Sequence, residues 1–205
     1  MEQKWLNWAR TVQSISQNGL NYAENPFDIE RYEKLRTLAA DIFSNYADLK
    51  HVEAVERLAN EFGHATPKVD VRGACFRDQQ ILLIREREDG KWALPGGWAD
   101  LNDAPSEAIE REIFEESGYR ARVVKLAAVY DKRKHNAPCS IPHIYKHFFI
   151  CEITGGEGKD SIETNGVGFY ALDNLPELST GRVTERQIQR MFEHHQHTAL
   201  PADFD

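Results

Sequence analysis

The stretch GGWADLNDAPSEAIEREIFEESGY, from Gly96 to Tyr119, places a glycine pair shortly before a segment rich in carboxylates. Proline is well tolerated in the first turn of a helix, and glycine is common just past the last turn. Pro105 and Gly118 therefore predict a helix over residues 105–117. The glycine pair ahead of this helix allows the backbone to approach a ligand closely.

Three glutamates share one face of the predicted helix. Glu112, Glu115 and Glu116 lie three and four residues apart, which puts their side chains within a sector about 100° wide. Like charges at this spacing each cost on the order of a few tenths of a kcal/mol, and no lysine is interleaved on that face. The face is either simply solvated, or it is a site whose oxygen ligands suit a hard cation such as Mg²⁺ or Mn²⁺.

The bulk composition restricts the class of protein. The chain has 205 residues, a formal net charge of −8 and 41% hydrophobic residues, as in an ordinary globular protein. The negative charge disfavours nucleic acid as a partner. No apolar run approaches the roughly 20 residues that span a bilayer, and the first residues lack the core of a signal peptide. Cys75, Cys139 and Cys151 form no CxxC pair, which predicts reduced thiols in a cytoplasmic protein.

Residues 1–64 differ from the rest of the chain in composition and in the spacing of their apolar residues. They contain two glycines and one proline, and their apolar residues recur at helical spacing in three runs. This pattern predicts a small N-terminal all-α domain. A unit of this size has little core of its own, so it is expected to dock on the catalytic domain, with a role in the substrate pocket, or on a second subunit, with a role in dimerisation. Gly19 is predicted to end the first helix. The predicted apolar stripe of that helix consists of Trp5, Trp8, Val12 and Ile15.

Residues 67–205 alternate between strand and helix patterns. VDVRGACF and QQILLIRE predict a strand pair, with further strands at 122–131, 143–153 and 166–172 and a last helix at 184–195. The fold class is therefore α/β (α+β), with a mixed sheet sandwiched between helices. The final segment, HHQHTALPADFD, is predicted to be loosely ordered. Its histidines, His194, His195 and His197, are interpreted as incidental.

The opening stretch resembles the Nudix box. In this motif a glycine is followed after five residues by a glutamate and, after seven more, by Arg-Glu-apolar-x-Glu-Glu-x-Gly-apolar. Here Gly97 opens the motif, residues 111–116 form its centre as REIFEE, and Gly118 and Tyr119 close it. One position differs, because Asp103 stands in place of the first glutamate. The resemblance implies that this residue supports the loop and the helix.

Nudix hydrolases cleave a pyrophosphate that links a nucleoside to another group, and they use Mg²⁺ or Mn²⁺. The resemblance implies that Glu112, Glu115 and Glu116 are metal ligands, with the backbone carbonyl of Gly96 as an addition. Such ions would attract a diphosphate and lower the pKa of an attacking water. Glu116 is also expected to be catalytic, together with Arg111, which can hold a neighbouring carboxylate in place.

The general base of this fold often comes from a loop downstream of the box. The segment KDSIETNGVGFYALDNLPEL carries Glu163 just before a predicted strand. The resemblance therefore implies Glu163 as the base or as an extra metal ligand, with Glu157 as second choice. The alternative for either residue is an ordinary loop carboxylate.

Four further residues are candidates for substrate binding. Arg72, in the alternating strand VDVRGACF, could grip phosphate oxygens. Trp98 could contribute to an aromatic pocket for a trimethylammonium group, although core packing is the usual role of such residues. His143 and Tyr145 alternate with His147 and so share one strand face, which could line the site or be an exposed sheet face.

The resemblance covers most of the chain, within a Nudix subgroup that has an N-terminal helical extension and is commonly labelled as ADP-ribose pyrophosphatases. Within that subgroup the chain resembles CDP-choline pyrophosphatase, so the expected reaction converts CDP-choline to CMP and phosphocholine, and the expected assembly is a homodimer. ADP-ribose, a nucleotide sugar or the 5′ end of an RNA are alternative substrates. A non-catalytic nucleotide sensor is disfavoured, because residues 1–64 hold seven Lys/Arg against ten Asp/Glu.

Overall fold

The structure is a computed structural model that describes residues 4–46, 51–135 and 142–205. The chain forms two compact units. Unit 1 comprises residues 1–67 with 139–143, and unit 2 comprises residues 68–138 with 144–205. Among the described residues, no helix is long and apolar enough to cross a membrane.

Unit 1 contains three helices in its described part: α1 (Lys4–Tyr22), α2 (Pro26–Tyr46) and α3 (His51–Ala59). The helical prediction for this region is confirmed. Its buried core is small and apolar, which is what a unit of this size can supply. The core consists of Leu6, Ala9, Ala39, Ala40, Phe43, Ala54 and Leu58.

For the first helix, the predicted end at Gly19 is wrong, and the predicted apolar stripe is buried only in part. Helix α1 continues through Gly19 to Tyr22. A Cβ at Gly19 would lie 2.3 Å from the Tyr32 ring, so the glycine allows α1 and α2 to approach closely. The predicted apolar stripe is divided: Trp5 and Val12 pack against the core, whereas Trp8 is 62% exposed and Ile15 is 49% exposed.

Unit 2 is built on a mixed sheet, as predicted. Its order is β3-β2-β1-β5-β4-β7, with β6 paired to β2. The β1–β5 and β4–β7 pairs are parallel, and the other pairs are antiparallel. The strands are β1 (Lys68–Arg77), β2 (Gln80–Glu86), β3 (Trp92–Ala93), β4 (Tyr119–Asp131), β5 (Ile144–Gly156), β6 (Thr164–Tyr170) and β7 (Asp203–Phe204).

Two helices cover the two faces of this sheet. Helix α4 (Pro105–Ser117) packs with Cys75 and Phe149 in one core, and α5 (Glu185–Gln196) packs with Ala74 and Phe148 in another. Successive strand residues point to opposite faces, so α4 and α5 lie on opposite sides of the sheet. Helix α4 has the predicted bounds, and Gly118 ends it in the left-handed conformation with φ +76°.

The last residues are ordered, which corrects the prediction of a loose tail. Strand β7 pairs with β4 in parallel, and Lys125 Nζ donates hydrogen bonds to the carbonyls of Thr198 and Leu200. His194, interpreted as incidental, is fully buried, with Nε2 3.2 Å from Asp203 Oδ2. The pairing of β7 with β4 joins strands that are far apart in sequence, and local composition does not reveal such a contact.

Candidate metal centre and catalytic site

The glycine pair lies beside β1 and continues the sheet there. Gly73 donates its backbone N–H to Pro95 O at 2.9 Å, and Val71 donates to Gly97 O at 2.8 Å. Gly96 has φ +138°, and a Cβ at this position would lie 2.0 Å from Val71 O. Only glycine fits such a close approach, which brings the backbone of the pair against the glutamates of α4.

Glu116 projects from the last turn of α4 to this glycine pair. The Gly96 N–H donates to Glu116 Oε2 at 2.7 Å, and Glu116 is only 5% exposed. Burial is the largest influence on its pKa and raises it to about 8, against the lowering effects of Arg72 and the Gly96 N–H. The negative charges of Glu86 and Glu112 raise it further. A nearby positive ion would therefore stabilise the ionised carboxylate strongly.

Arg111 lies between the other two glutamates of the box. Its Nη1 donates to Glu112 Oε1 and to Glu115 Oε2, each at 2.9 Å. Its Nε donates to Asp103 Oδ2 at 3.1 Å, so the shorter side chain at this position of the box still reaches the arginine. Arg111 therefore offsets part of the repulsion that the sequence predicts between Glu112 and Glu115.

The side chains of α4 fit a divalent cation in their chemistry. Carboxylate oxygens are the ligands that Mg²⁺ and Mn²⁺ take, and a Cβ at Gly97 would lie 3.0 Å from Glu112 Oε2, so Glu112 also borders the glycine pair. Within residues 4–46, 51–135 and 142–205, no three acidic, histidine or cysteine side chains already converge as a metal cage. To bind an ion, Glu112 and Glu115 would exchange their contacts with Arg111 for it.

A second group of buried charges lies on β1 and β5. Asp70 accepts hydrogen bonds from Arg72 Nη2 at 2.7 Å and from Lys146 Nζ at 2.9 Å. All three residues are at most 6% exposed. Burial opposes ionisation of Asp70, but the two cations hold its pKa below the ordinary value. Burial and the charge of Arg72 lower the pKa of Lys146 to about 7.

Arg72, predicted to bind phosphate, is directed inward. Besides its bonds to Asp70, its Nη1 donates to Leu94 O at 3.2 Å. Its positive charge acts on Glu116 and Glu86. Its guanidinium is therefore engaged by Asp70 and by the backbone of residue 94, and it is only 4% exposed.

Sequence reasoning missed Glu86, a buried carboxylate at the end of β2. It is 6% exposed, and Arg182 Nε lies 2.8 Å from its Oε1. Burial raises the pKa of Glu86, and the charge of Glu163 raises it further. One signal in the sequence could have identified Glu86, because this charged residue ends the apolar run QILLIRE. Asp70 and Lys146 are also charged residues within apolar strands.

Glu163 lies close enough to Glu86 for its negative charge to raise the pKa of Glu86. Its side chain is exposed, and it directly precedes β6. Its backbone N–H donates to Ser161 Oγ at 3.1 Å, and its carbonyl accepts from the Arg87 N–H at 2.9 Å. Glu157, the second choice for the base, is also exposed and precedes this turn.

The candidate substrate-binding aromatics are not brought to one face. Trp98 is 48% exposed and pairs in register with Asp70, whereas Tyr145 is 39% exposed and pairs with Val69. Neighbouring strand residues point to opposite faces, so Trp98 and Tyr145 lie on opposite sides of the sheet. His143 precedes β5 and clusters with unit 1.

Both parts of the chain match known protein families. Residues 3–58 match the family described as the UDP-X-like, N-terminal oligomerisation domain. Residues 66–192 match the NUDIX domain.

Two of the similar proteins match this chain over nearly its full length, and a third matches about two thirds of it. YjhB of Bacillus subtilis (strain 168), which has the provisional name ADP-ribose pyrophosphatase, is 41% identical over 206 residues, covering 100% of this chain and 99% of YjhB. The crystal structure of a UDP-X diphosphatase is 32% identical, covers 98% of each chain and has a TM-score of 0.64. An ADP-ribose pyrophosphatase structure from Streptococcus suis 89-1591 is 36% identical with a TM-score of 0.64, and covers 68% of this chain and 100% of that one.

Proposed function

This chain belongs to the Nudix hydrolase family, and from that membership we propose that it hydrolyses the diphosphate bond of a nucleoside diphosphate linked to another group, using Mg²⁺ or Mn²⁺. The observation that carries the proposal is the position of Glu116. Its carboxylate is buried against the Gly96 N–H, at a cost that bound positive charge would offset. Nudix hydrolases generally need divalent metal ions, and the carboxylates of α4 supply the oxygen ligands that Mg²⁺ and Mn²⁺ prefer.

The proposed metal ligands are Glu112, Glu115 and Glu116, with the Gly96 backbone beside them. A divalent ion, when bound, supplies positive charge to the diphosphate and makes water more acidic. Arg111 holds Glu112 and Glu115 before the ion arrives, so it keeps their carboxylates in reach of the site. We propose this positioning as its contribution to catalysis.

Glu163 is the proposed general base. Its exposed carboxylate can accept a proton from the attacking water, and its backbone is held on two sides by Ser161 and Arg87. The water oxygen forms a new bond to one phosphorus as the bridging P–O bond breaks. The chain thereby releases two phosphate monoesters from one diphosphate diester.

CDP-choline is the specific substrate that we propose, with CMP and phosphocholine as products. The half-exposed ring of Trp98 could contact the trimethylammonium group or stack on the base. ADP-ribose is the second candidate, and it is favoured by the name of YjhB, which matches this chain at 41% identity over its whole length.

A panel of diphosphate-linked nucleotides tests the substrate assignment. Purified protein with Mg²⁺ or Mn²⁺ is incubated with CDP-choline, ADP-ribose and UDP-glucose, and products are identified by ³¹P NMR. The highest kcat/KM for CDP-choline supports the assignment, whereas the highest value for ADP-ribose replaces it. A lack of hydrolysis across such a panel would count against the reaction class itself.

We further propose a homodimer formed through residues 1–64, with residues 67–205 as the catalytic domain. Support comes from the match to an N-terminal oligomerisation domain and from an exposed apolar row on α1. Trp8, Ile15 and Tyr22 are 62%, 49% and 67% exposed and lie seven residues apart, hence on one face of the helix.

A further inference from the structure

The loop formed by residues 157–164, which includes the first residue of β6, covers the C-terminal end of α4. The last four carbonyls of a helix have no partner within the helix. Two of them are satisfied here by the loop: the Lys159 N–H donates to Ser117 O at 2.9 Å, and Thr164 Oγ1 donates to Glu116 O at 2.7 Å. Thr164 is fully buried. The second bond therefore joins the loop to the backbone of the glutamate at the centre of the candidate site.

The hydroxyl groups of Ser161 and Thr164 fix the turn that carries Glu163. Ser161 Oγ accepts from the backbone N–H groups of Glu163 and Thr164, each at 3.1 Å, and lies 3.0 Å from Thr164 Oγ1. A hydroxyl has a single proton to donate. Thr164 gives its proton to Glu116 O, so the Ser161 hydroxyl must donate to Thr164 Oγ1. The hydroxyl hydrogen bonds therefore form one chain, in which Ser161 Oγ donates to Thr164 Oγ1 and Thr164 Oγ1 donates to Glu116 O.

Two further contacts enclose the loop. Gly118 has φ +76°, and a Cβ there would lie 2.5 Å from Glu157 O, so the loop packs directly on the glycine that closes the box. On the other side, Arg87 donates from Nη2 and Nε to Ser161 O at 3.1 and 3.2 Å. The loop is therefore held between the end of α4 and the residue that directly follows β2.

From this geometry we infer that Thr164 is a positioning residue for catalysis, whose hydroxyl sets the position of Glu163 relative to Glu116. The inference rests on the proposed function, in which these two carboxylates act on one substrate. Thr164 is covalently next to Glu163 and is hydrogen-bonded to the backbone of Glu116. A general base must lie within hydrogen-bonding reach of its proton, and a misplacement of about 1 Å can cost about 100-fold in rate.

The test compares two variants of the full-length protein. Thr164→Val keeps the shape of the side chain and removes the hydroxyl, and Thr164→Ser keeps the hydroxyl. We expect kcat to fall about 10- to 100-fold in the valine variant with KM changed less than about twofold, and most of the rate to return in the serine variant. Thr154→Val is the matched control, because Thr154 is an exposed threonine on β5.

Hydrogen–deuterium exchange supplies a readout that does not depend on activity. We expect peptides spanning residues 157–164 to exchange faster in Thr164→Val, and to keep wild-type protection in Thr164→Ser and Thr154→Val. If the valine variant does not fold, Ser161→Ala removes the other hydroxyl and is expected to give the same pattern.

Two results would overturn the inference. One is wild-type kcat and wild-type loop exchange in Thr164→Val. The other is an equal loss of kcat in Thr164→Val and Thr164→Ser, which would indicate packing rather than a hydrogen bond. A wild-type protein that hydrolyses no diphosphate, while the exchange pattern follows expectation, would instead contradict the proposed function and leave the loop contact supported.

Discussion

The carboxyl group of Glu116 is buried, although the proposed metal binding needs this group in its charged form. Its hydrogen bond from Gly96 and the charge of Arg72 compensate only part of the burial, so its pKa stays raised at about 8. The box identifies this glutamate in the sequence, but not its burial. That burial arises because Gly96 is pressed against Val71 of a strand more than twenty positions earlier.

Replacing Glu116 with glutamine tests its role in metal-dependent turnover. The glutamine amide would keep the shape of the side chain, and its oxygen could still accept the hydrogen bond from the Gly96 N–H. It would lose the negative charge. We expect a loss of kcat of about 100-fold or more at saturating Mg²⁺, with the fold retained. Glu152→Gln, on the exposed side of β5, is the control and should keep wild-type kcat. Wild-type turnover in the Glu116 variant would refute the metal assignment.

The same residue predicts a pH dependence of stability in EDTA. The folded protein keeps a proton on Glu116 up to about pH 8, whereas the unfolded chain releases it near the ordinary glutamate value of 4.5. The folded state therefore binds more protons in this window, and the free energy of unfolding should fall as pH rises from about 5 to 8. The expected contribution is on the order of a few kcal/mol.

Urea unfolding at pH 5, 6.5 and 8 measures this effect. In Glu116→Gln the fall between pH 5 and 8 should be smaller than in the wild type. Identical slopes in the two proteins would show that Glu116 ionises normally in the folded state.

At the scale of elements, the junction between the glycine pair and α4 depends on backbone approach. Gly96→Ala would force a Cβ to within 2.0 Å of Val71 O at a φ of +138°. We expect the free energy of unfolding to fall by at least about 2 kcal/mol, measured by urea unfolding, and activity to fall with it. Gly155→Ala, where a Cβ would meet nothing within 4 Å, should change stability by less than about 0.5 kcal/mol.

Local signals are sufficient to predict some elements and insufficient for others. Helix α4 is predicted at its observed bounds because Pro105 and Gly118 mark its ends by backbone chemistry alone. The prediction for Gly19 is wrong because the role of this glycine is a contact with Tyr32 on another helix. The sequence predicts that Arg72 contacts the substrate, but its pairing with Asp70 depends on the burial of β1 between two helices.

In the whole molecule, the exposed apolar row of α1, formed by Trp8, Ile15 and Tyr22, is the proposed dimer interface. Trp8→Asp combined with Ile15→Lys would put charges into the proposed interface. We expect light scattering after gel filtration to report a dimer mass for the wild type and a monomer mass for the double variant. Phe204→Lys changes an 83% exposed aromatic residue in unit 2 and should leave the dimer intact. A monomeric wild type would contradict the proposal.

The substrate is the feature of the whole molecule that the sequence could least determine. The proposed metal ligands follow from one short motif, whereas the proposed substrate-binding residues come from separate strands. Register places Trp98 and Tyr145 on opposite faces of the sheet, although both are candidates for substrate binding in the sequence. Their separate positions make each aromatic a distinct candidate for contact with the base or with the linked group.

A crystal structure with Mn²⁺ and a non-hydrolysable diphosphate analogue, phased at the manganese edge, tests most directly whether the glutamates of α4 bind a divalent ion. We expect anomalous density contacting the carboxylates of Glu112, Glu115 and Glu116, with Arg111 displaced from Glu112 and Glu115. Manganese bound elsewhere, with Glu112 and Glu115 still paired to Arg111 and Glu116 still bonded to the Gly96 N–H, would contradict this expectation.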